Sequence, residues 1–205
     1  MISGYFWVDV ILKIIFVLVA MIGMALVAIY GELKVMAHMQ NRIGPYYAGG
    51  RWGWAQPLAD AVKFIQKEDL VPAGADTAIF KTAPYIVVAS TVATFVVIPF
   101  SPSLVARDLD LGVFYLLAIS SLTTLGVLMA GWSSANKYSL MGGLRAGAQL
   151  IAYELPLVLT VVAVVVQAGT MSLVGIVEAQ RDAGLWFVFP GILAFGIYFV
   201  CGVAE

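Results

Sequence analysis

FWVDVILKIIFVLVAMIGMALVAIY, residues 6–30, is the stretch on which the fold turns. It carries only Asp9 and Lys13 as charges and has no helix breaker apart from Gly23. It is longer than the roughly 20 helical residues that cross a hydrocarbon core of about 30 Å. Lys13 lies near its start, where a long side chain snorkels to the interface. No basic segment precedes the run and no A-x-A-like site ends it, so it reads as a first membrane span and not as a cleaved leader.

Four more apolar runs follow, at residues 82–100, 111–134, 146–167 and 185–204. Pro99 and Pro102 stop the second, and Gly112 opens the third. The chain is 62% hydrophobic and 11% charged, with a mean hydropathy of +0.98. Soluble domains are roughly 45–50% apolar and about 25% charged, so a soluble fold is excluded. The expected architecture is all-α: a polytopic membrane protein of about five transmembrane helices plus an interfacial amphipathic helix. Residues 1–205 then form a single helical membrane domain, with residues 31–81 a cytoplasmic or interfacial segment within it. Tyr5, Trp7, Tyr30, Trp132 and Trp186 fall near run ends and suit interfacial anchoring.

Several functions drop out early. A net charge of −1 without a basic cluster gives no footprint for nucleic acid. Cys201 is the single cysteine, which excludes an internal disulfide or a cysteine-held iron–sulfur site in this chain. His38 is the single histidine, a poor basis for a metal centre. No phosphate-cradling G-x-x-x-x-G-K-[ST], dinucleotide G-x-G-x-x-G or zinc-binding H-E-x-x-H motif occurs.

Lysine and arginine set the expected orientation. Lys34, Arg42, Arg51, Lys63, Lys67, Lys81, Lys137 and Arg145 fall on one side, against Lys13, Arg107 and Arg181 on the other. The N-terminus is therefore expected outside, with residues 31–81 and Glu205 at the cytoplasmic face. Glu205 directly follows an apolar run, and a further loop is expected beyond it.

Residues 31–81 are unusually charged for an inter-span connection, with Glu32, Lys34, Arg42, Asp60, Lys63, Lys67, Glu68 and Asp69. The turn signals Gly44-Pro45 and Gly49-Gly50 and the aromatics Tyr46, Tyr47, Trp52 and Trp54 stand among them. Within it, residues 57–70 read as an interfacial helix, with Leu58, Ala61, Val62 and Ile65 at helical spacing. Asp60, Lys63 and Lys67 are neighbours on that helix. Two readings stand: a solvated face with ordinary ion pairs, or the wall of a polar cavity.

The second charged stretch is SLMGGLRAGAQLIAYELP, residues 139–156. Gly143 and Gly147 make a small-xxx-small pair that lets another helix approach closely. Arg145, Gln149 and Tyr153 recur every four residues as a polar stripe. Glu154 lies well inside the fourth apolar run, where a carboxylate costs about 2.5–3.5 kcal/mol near the helix centre. Arg145 is about two and a half turns away, on the opposite face, so Glu154 must be paired by another helix, hydrated or held protonated. Each option suits a proton relay; the alternative is an interhelical hydrogen bond. Pro156 is expected to kink or loosen the helix beside the carboxylate.

Three ordered motifs make the chain recognisable: ELKVMAHMQNRIGP at 32–45 with AQPLADAVKFIQKED at 55–69, SANKYSLMGGLRAGAQLIAYELP at 134–156, and the terminal GVAE at 202–205. Together they resemble the H-type subunit family of proton-pumping NADH-quinone oxidoreductase, respiratory complex I, in a divergent bacterial, second-copy and C-terminally truncated form. The resemblance implies a membrane anchor on which the hydrophilic arm docks and which helps form the quinone chamber. Gln40, Arg42, Asp60, Lys63, Lys67 and Glu68 match family positions near that chamber. Glu154, with Tyr153 and Arg145, matches intramembrane proton-path positions, and Glu205 the first acid of the loop coupling quinone chemistry to proton movement. Leu33 stands where the family usually has arginine, and Gly44-Pro45-Tyr46 where it has G-P-N.

The implied role is that of a non-redox subunit, not catalytic alone, in a translocase of the bacterial inner or plasma membrane. Its substrate would be a quinone, ubiquinone or menaquinone, and this chain would bind no metal, flavin or iron–sulfur cluster. Implied partners are the other membrane and peripheral-arm subunits, the iron–sulfur subunit near the quinone site, and the lipid bilayer. The anchor subunit of a membrane-bound hydrogenase or of a dehydrogenase with another donor shares these features. A stand-alone transporter and a purely structural anchor are the remaining readings.

Overall fold

The computed structural model describes residues 6–101 and 104–204. Tyr5, Pro102 and Glu205, each assigned a role above, lie outside the described residues. Those residues are helical throughout apart from turns and loops, and the only β feature among them is an isolated bridge between Ser101 and Leu104. The chain divides into two compact units, Met1–Leu70 and Val71–Glu205.

In the first unit, α1 (Phe6–Met39) is a single helix of 34 residues, about 51 Å long at 1.5 Å per residue. The charged segment expected to begin at residue 31 therefore starts as helix. The reason is local: Glu32, Leu33, Lys34, Met36 and Ala37 are good helix formers, and nothing breaks the ladder before Asn41. Asn41 adopts φ 52°. Its N–H donates to the His38 carbonyl at 3.1 Å and that of Arg42 to the Ala37 carbonyl at 3.0 Å. This is a Schellman termination, with asparagine in the left-handed position usually held by glycine.

The chain then folds back along the last turns of α1. Lys34 Nζ donates to the Pro45 carbonyl at 2.6 Å, and the Tyr30 hydroxyl to the Trp52 carbonyl at 2.8 Å. Gly53 has φ +67°, and a Cβ there would collide with the Pro45 carbonyl, so the turn requires glycine. α2 (Gln56–Gln66) starts with Pro57 in its first turn and spans 11 residues. It ends before the expected residue 70: Lys67 is extended, with ψ 146°, and Pro72 disfavours helix at Val71. Lys67, Glu68, Asp69 and Leu70 are exposed connecting chain.

The second unit is built from α3 (Thr77–Thr94), α4 (Gly112–Ser120), α5 (Leu122–Ser133), α6 (Lys137–Ala168), α7 (Leu173–Asp182) and α8 (Ile192–Ala204). α5 packs on α3 and on α6, and α6 packs on α8. Glycines face each other between α5 and α6: a Cβ built on Gly131 of α5 would lie 2.8 Å from Gly143 Cα of α6. One built on Gly147 would lie 2.6 Å from Leu128 Cδ2. The Gly143/Gly147 pair thus seats α6 on α5, as its spacing suggests.

Side-chain caps set the helix starts. Asp76 Oδ1 accepts from Ile79 N at 3.4 Å, Asn136 Oδ1 from Tyr138 N at 2.9 Å and Ser172 Oγ from Gly175 N at 3.1 Å. The run 111–134 is interrupted at Ser121. The hydroxyls of Ser120, Ser121 and Thr123 bond back to the carbonyls of Leu117, Ala118 and Ser120 at 2.8–2.9 Å, competing with the ladder there.

Three helical stretches are long and apolar enough to cross a membrane: Val10–Met39, Gly112–Ser133 and Lys137–Ala168. The other two expected runs are shorter. α3 has 18 residues, carries Lys81 and ends at Thr94. α8 has 13 described residues, Ile192–Ala204, and starts only after Pro190 and Gly191, which lie in turns. α6 stays helical through Pro156 to Ala168, where Gly169 terminates it at φ 69°. At one end of this unit Asp76 N donates to the Ser133 carbonyl at 3.0 Å. Elsewhere Ser172 Oγ donates to Asp108 Oδ1 at 3.0 Å and Val113 N to the Met171 carbonyl at 2.9 Å.

Candidate functional site

In the first unit, the Schellman turn reverses the chain at Asn41 and brings Arg42 into the lining of a cleft of about 760 Å³. Leu33 from α1, Arg42 to Tyr47 from the fold-back, and Gln56 and Asp60 from α2 line it. Arg42 Nε donates to Gln40 Oε1 at 2.7 Å. Opposite in sign, Asp60 is held by two donors: Lys63 Nζ at 2.6 Å on Oδ1 and Gln56 Nε2 at 3.3 Å on Oδ2. The Lys63 hydrogen bond, reinforced by that from Gln56, keeps the Asp60 carboxyl below the usual carboxylate range. Asp60 is thus an anion at neutral pH, partly exposed at the cleft wall.

Aromatic and apolar surface completes the cleft. The Tyr46 and Tyr47 rings meet edge to face with centroids 5.8 Å apart. Leu33 lies among the lining residues, so the wall is apolar where the resemblance leads one to expect an arginine. The arrangement offers a guanidinium donor, an ionised carboxylate with its ammonium partner, and two phenol rings around one space. That suits a flat, partly polar molecule bearing oxygen acceptors.

Of the expected chamber residues, Arg42 and Asp60 line this cleft, while Gln40 and Lys63 do not line it and reach it only through their hydrogen bonds to those two. Lys67 and Glu68 do not line it; the Lys67 ammonium lies 5.7 Å from the centroid of the exposed Phe64 ring, and Lys63 lies over the same ring at 4.9 Å. Sequence reasoning passed over Gln56, whose i,i+4 spacing to Asp60 was the available signal. It also treated Lys34 only as a charge, whereas its bond to Pro45 holds the fold-back in place. Among the described residues no group of three or more His, Cys, Asp or Glu side chains is arranged to hold a metal ion.

The second set of expected residues is on α6 in the other unit. Arg145, Gln149 and Tyr153 are exposed and Glu154 is half-buried. Gln149 Nε2 donates to the Ala204 carbonyl in the last turn of α8 at 2.8 Å. The stripe therefore ties α6 to α8 one residue before Glu205, itself outside the described residues.

Comparison with protein-family models matches residues 12–205 to NADH dehydrogenase. The chain is 45% identical to the H-type subunit of NADH-quinone oxidoreductase from Geobacillus thermodenitrificans, over 92% of this chain and 56% of the relative. It is 44% identical to the H-type subunit from Bacillus mycoides, over 93% and 57% of the two chains. It is also 44% identical to form 1 of the H-type subunit from Koribacter versatilis, over 97% and 48%. The chain spans about half the length of the curated relatives it matches. With an all-helical fold, span-length apolar helices and this match over nearly its whole length, the chain belongs to the NADH dehydrogenase family, that of the H-type subunit of NADH-quinone oxidoreductase.

Proposed function

We propose that this chain is a membrane subunit of a complex I-type NADH:quinone oxidoreductase, and that the cleft at the end of α1 forms part of the quinone chamber. The observation that carries this reading is the placement of Arg42 and the ionised Asp60 around one space with Tyr46 and Tyr47. A quinone gains negative charge on its oxygens as it is reduced. A preorganised guanidinium donor stabilises that charge more strongly than it binds the neutral ring. The tyrosine rings supply apolar faces for the quinone plane. Electrons would come from an iron–sulfur subunit of the assembly, since this chain's lone cysteine suits no cluster.

In this reading α1, α3, the α4–α5 pair, α6 and α8 are five spans, and α2 lies at the cytoplasmic interface. The N-terminus is outside, in a bacterial inner or plasma membrane. Two loop contacts support the alternation. The chain at Asp76 meets Ser133, and that at Asp108 meets Ser172, each pairing loops assigned to one side by the lysine and arginine count. Charge changes at the quinone would pass through the set Asp60, Lys63, Lys67 and Glu68 to Glu154, Tyr153 and Arg145 on α6 and to Glu205.

The test is a photoreactive quinone analogue irradiated with the assembled complex in a bilayer. Label is expected within residues 42–47 and 56–60 and should fall when native quinone competes. Competed label confined to other parts of the complex overturns the chamber assignment.

A further inference from the structure

Tyr46 and Tyr47 line the cleft of the first unit, but the chain that carries them is fastened by two residues of α1 outside that lining. Tyr30 and Lys34 are four apart, one turn from each other on the same face of the helix. Both are half-buried, and each takes a backbone carbonyl of the fold-back. Lys34 Nζ donates to the Pro45 carbonyl, where residues 45–53 begin, and the Tyr30 hydroxyl to that of Trp52, near their end. The two ends also meet each other, because Gly53 lies so close to the Pro45 carbonyl that no Cβ fits there. Residues 45–53 are therefore a loop pinched shut at its base and held at two points by α1.

A lysine at a surface ordinarily keeps its ammonium in water. Among the described residues that of Lys34 meets no carboxylate. It sits on a carbonyl instead, 5.7 Å from the centroid of the Tyr30 ring. The stem is packed as well: a Cβ added to Gly44 would lie 3.1 Å from Lys34 Cδ and 3.2 Å from Cβ of the fully buried Ala37. Pro45 passes this grip on to Tyr46. Its ring fixes φ at about −65°, and its carbonyl shares one planar peptide with Tyr46 N. A donor that fixes the direction of that carbonyl therefore fixes the plane from which Tyr46 departs.

We propose that Lys34 and Tyr30 are positioning residues for quinone binding. They act through the Pro45 and Trp52 carbonyls, so that Tyr46 and Tyr47 stand ready in the cleft before the quinone arrives. A loose aromatic loop would have to order on binding, which weakens affinity but leaves Arg42 and Asp60 to meet the ligand as before. The signature is a raised KM with kcat retained. These contacts all lie within residues 30–53, so they are the same whatever further chain or subunit covers the cleft. The proposal rests on the quinone reading of that cleft.

The experiment measures quinone kinetics of the assembled complex in a bilayer, with amide hydrogen exchange over residues 45–53 as a second readout. Lys34→Met keeps the stem and removes the donor; Tyr30→Phe keeps the ring and removes the hydroxyl. Each is expected to speed exchange in residues 45–53 and to raise KM roughly 2- to 10-fold, the scale of one hydrogen bond, with kcat retained. Lys34→Arg, which still donates, should recover most of the lost KM. Because Lys34 acts through Tyr46, Lys34→Met should add nothing to the KM of Tyr46→Leu. Unchanged exchange or unchanged KM in Lys34→Met and Tyr30→Phe overturns the proposal, as does a loss additive to that of Tyr46→Leu. So does a fall in assembly or kcat without a change in KM, which marks a merely structural clamp. If Arg42→Lys and Tyr46→Leu raise KM while Lys34→Met does not, the positioning role alone falls. If neither of those two raises it, the quinone reading of the cleft falls and the positioning role with it.

Discussion

Arg42 Nε donates to Gln40 Oε1 at 2.7 Å across Asn41, whose φ of 52° turns the chain back at the end of α1. The two residues that flank the left-handed position therefore hold each other, and the turn aims the guanidinium at the cleft. Arg42→Lys keeps the charge but loses the planar donor set, and so should not behave as a conservative change. The expected outcome is a raised KM for quinone with the complex fully assembled. An unchanged KM would remove Arg42 from the proposed quinone chamber.

Asn41 separates backbone geometry from side-chain chemistry. Asn41→Gly should be tolerated, whereas Asn41→Ala forces a Cβ-bearing residue without local hydrogen bonding into the left-handed region, at a cost of about 1–2 kcal/mol. Thermal unfolding of the assembled complex compares the two. Equal loss in both variants would show that the asparagine amide, and not the turn, matters.

The Asp60–Lys63 pair predicts a pH dependence with a definite sign. Hydrogen bonds from Lys63 and Gln56 lower the folded carboxyl from its ordinary value of 3.8. The stabilisation is then complete above the unfolded value and lost as pH falls through the lowered folded one. The stability difference between wild type and Asp60→Asn should be flat above about pH 5 and shrink below 3.8. A difference that grows on acidification contradicts the ion pair.

Glu154→Gln keeps the shape of a half-buried side chain on α6 and removes its exchangeable charge. In the proposed relay this lowers quinone-linked proton pumping by more than about tenfold, the scale of losing one acid–base group, with assembly intact. Pumping at the wild-type level in an assembled variant removes Glu154 from the path.

The α5–α6 contact has no room for a methyl group. A Cβ on Gly131 would lie 2.8 Å from Gly143 Cα, a backbone atom that cannot rotate aside. Gly131→Ala and Gly143→Ala should each destabilise by about 1–3 kcal/mol through overpacking. Together they should cost less than the sum, because the first already separates the helices. Additive losses in thermal melts would argue against a shared contact.

Local chemistry made much of this legible in residue order. Apolar runs of membrane-spanning length marked α1, α4–α5 and α6, because periodicity and hydropathy act on neighbours along the chain. The family resemblance rested on motifs that stay intact in one dimension, and the Gly143/Gly147 spacing already named the face of α6 that meets another helix. What tertiary structure alone decided was where polar chain goes once a helix ends. The cleft depends on Lys34 reaching the Pro45 carbonyl and Tyr30 that of Trp52, contacts 11 and 22 residues apart. Backbone carbonyls have no residue identity to read, so bonds to them leave no trace in the sequence. That is why Leu33 and Tyr46 emerge beside Asp60 in one cleft only when the chain is folded.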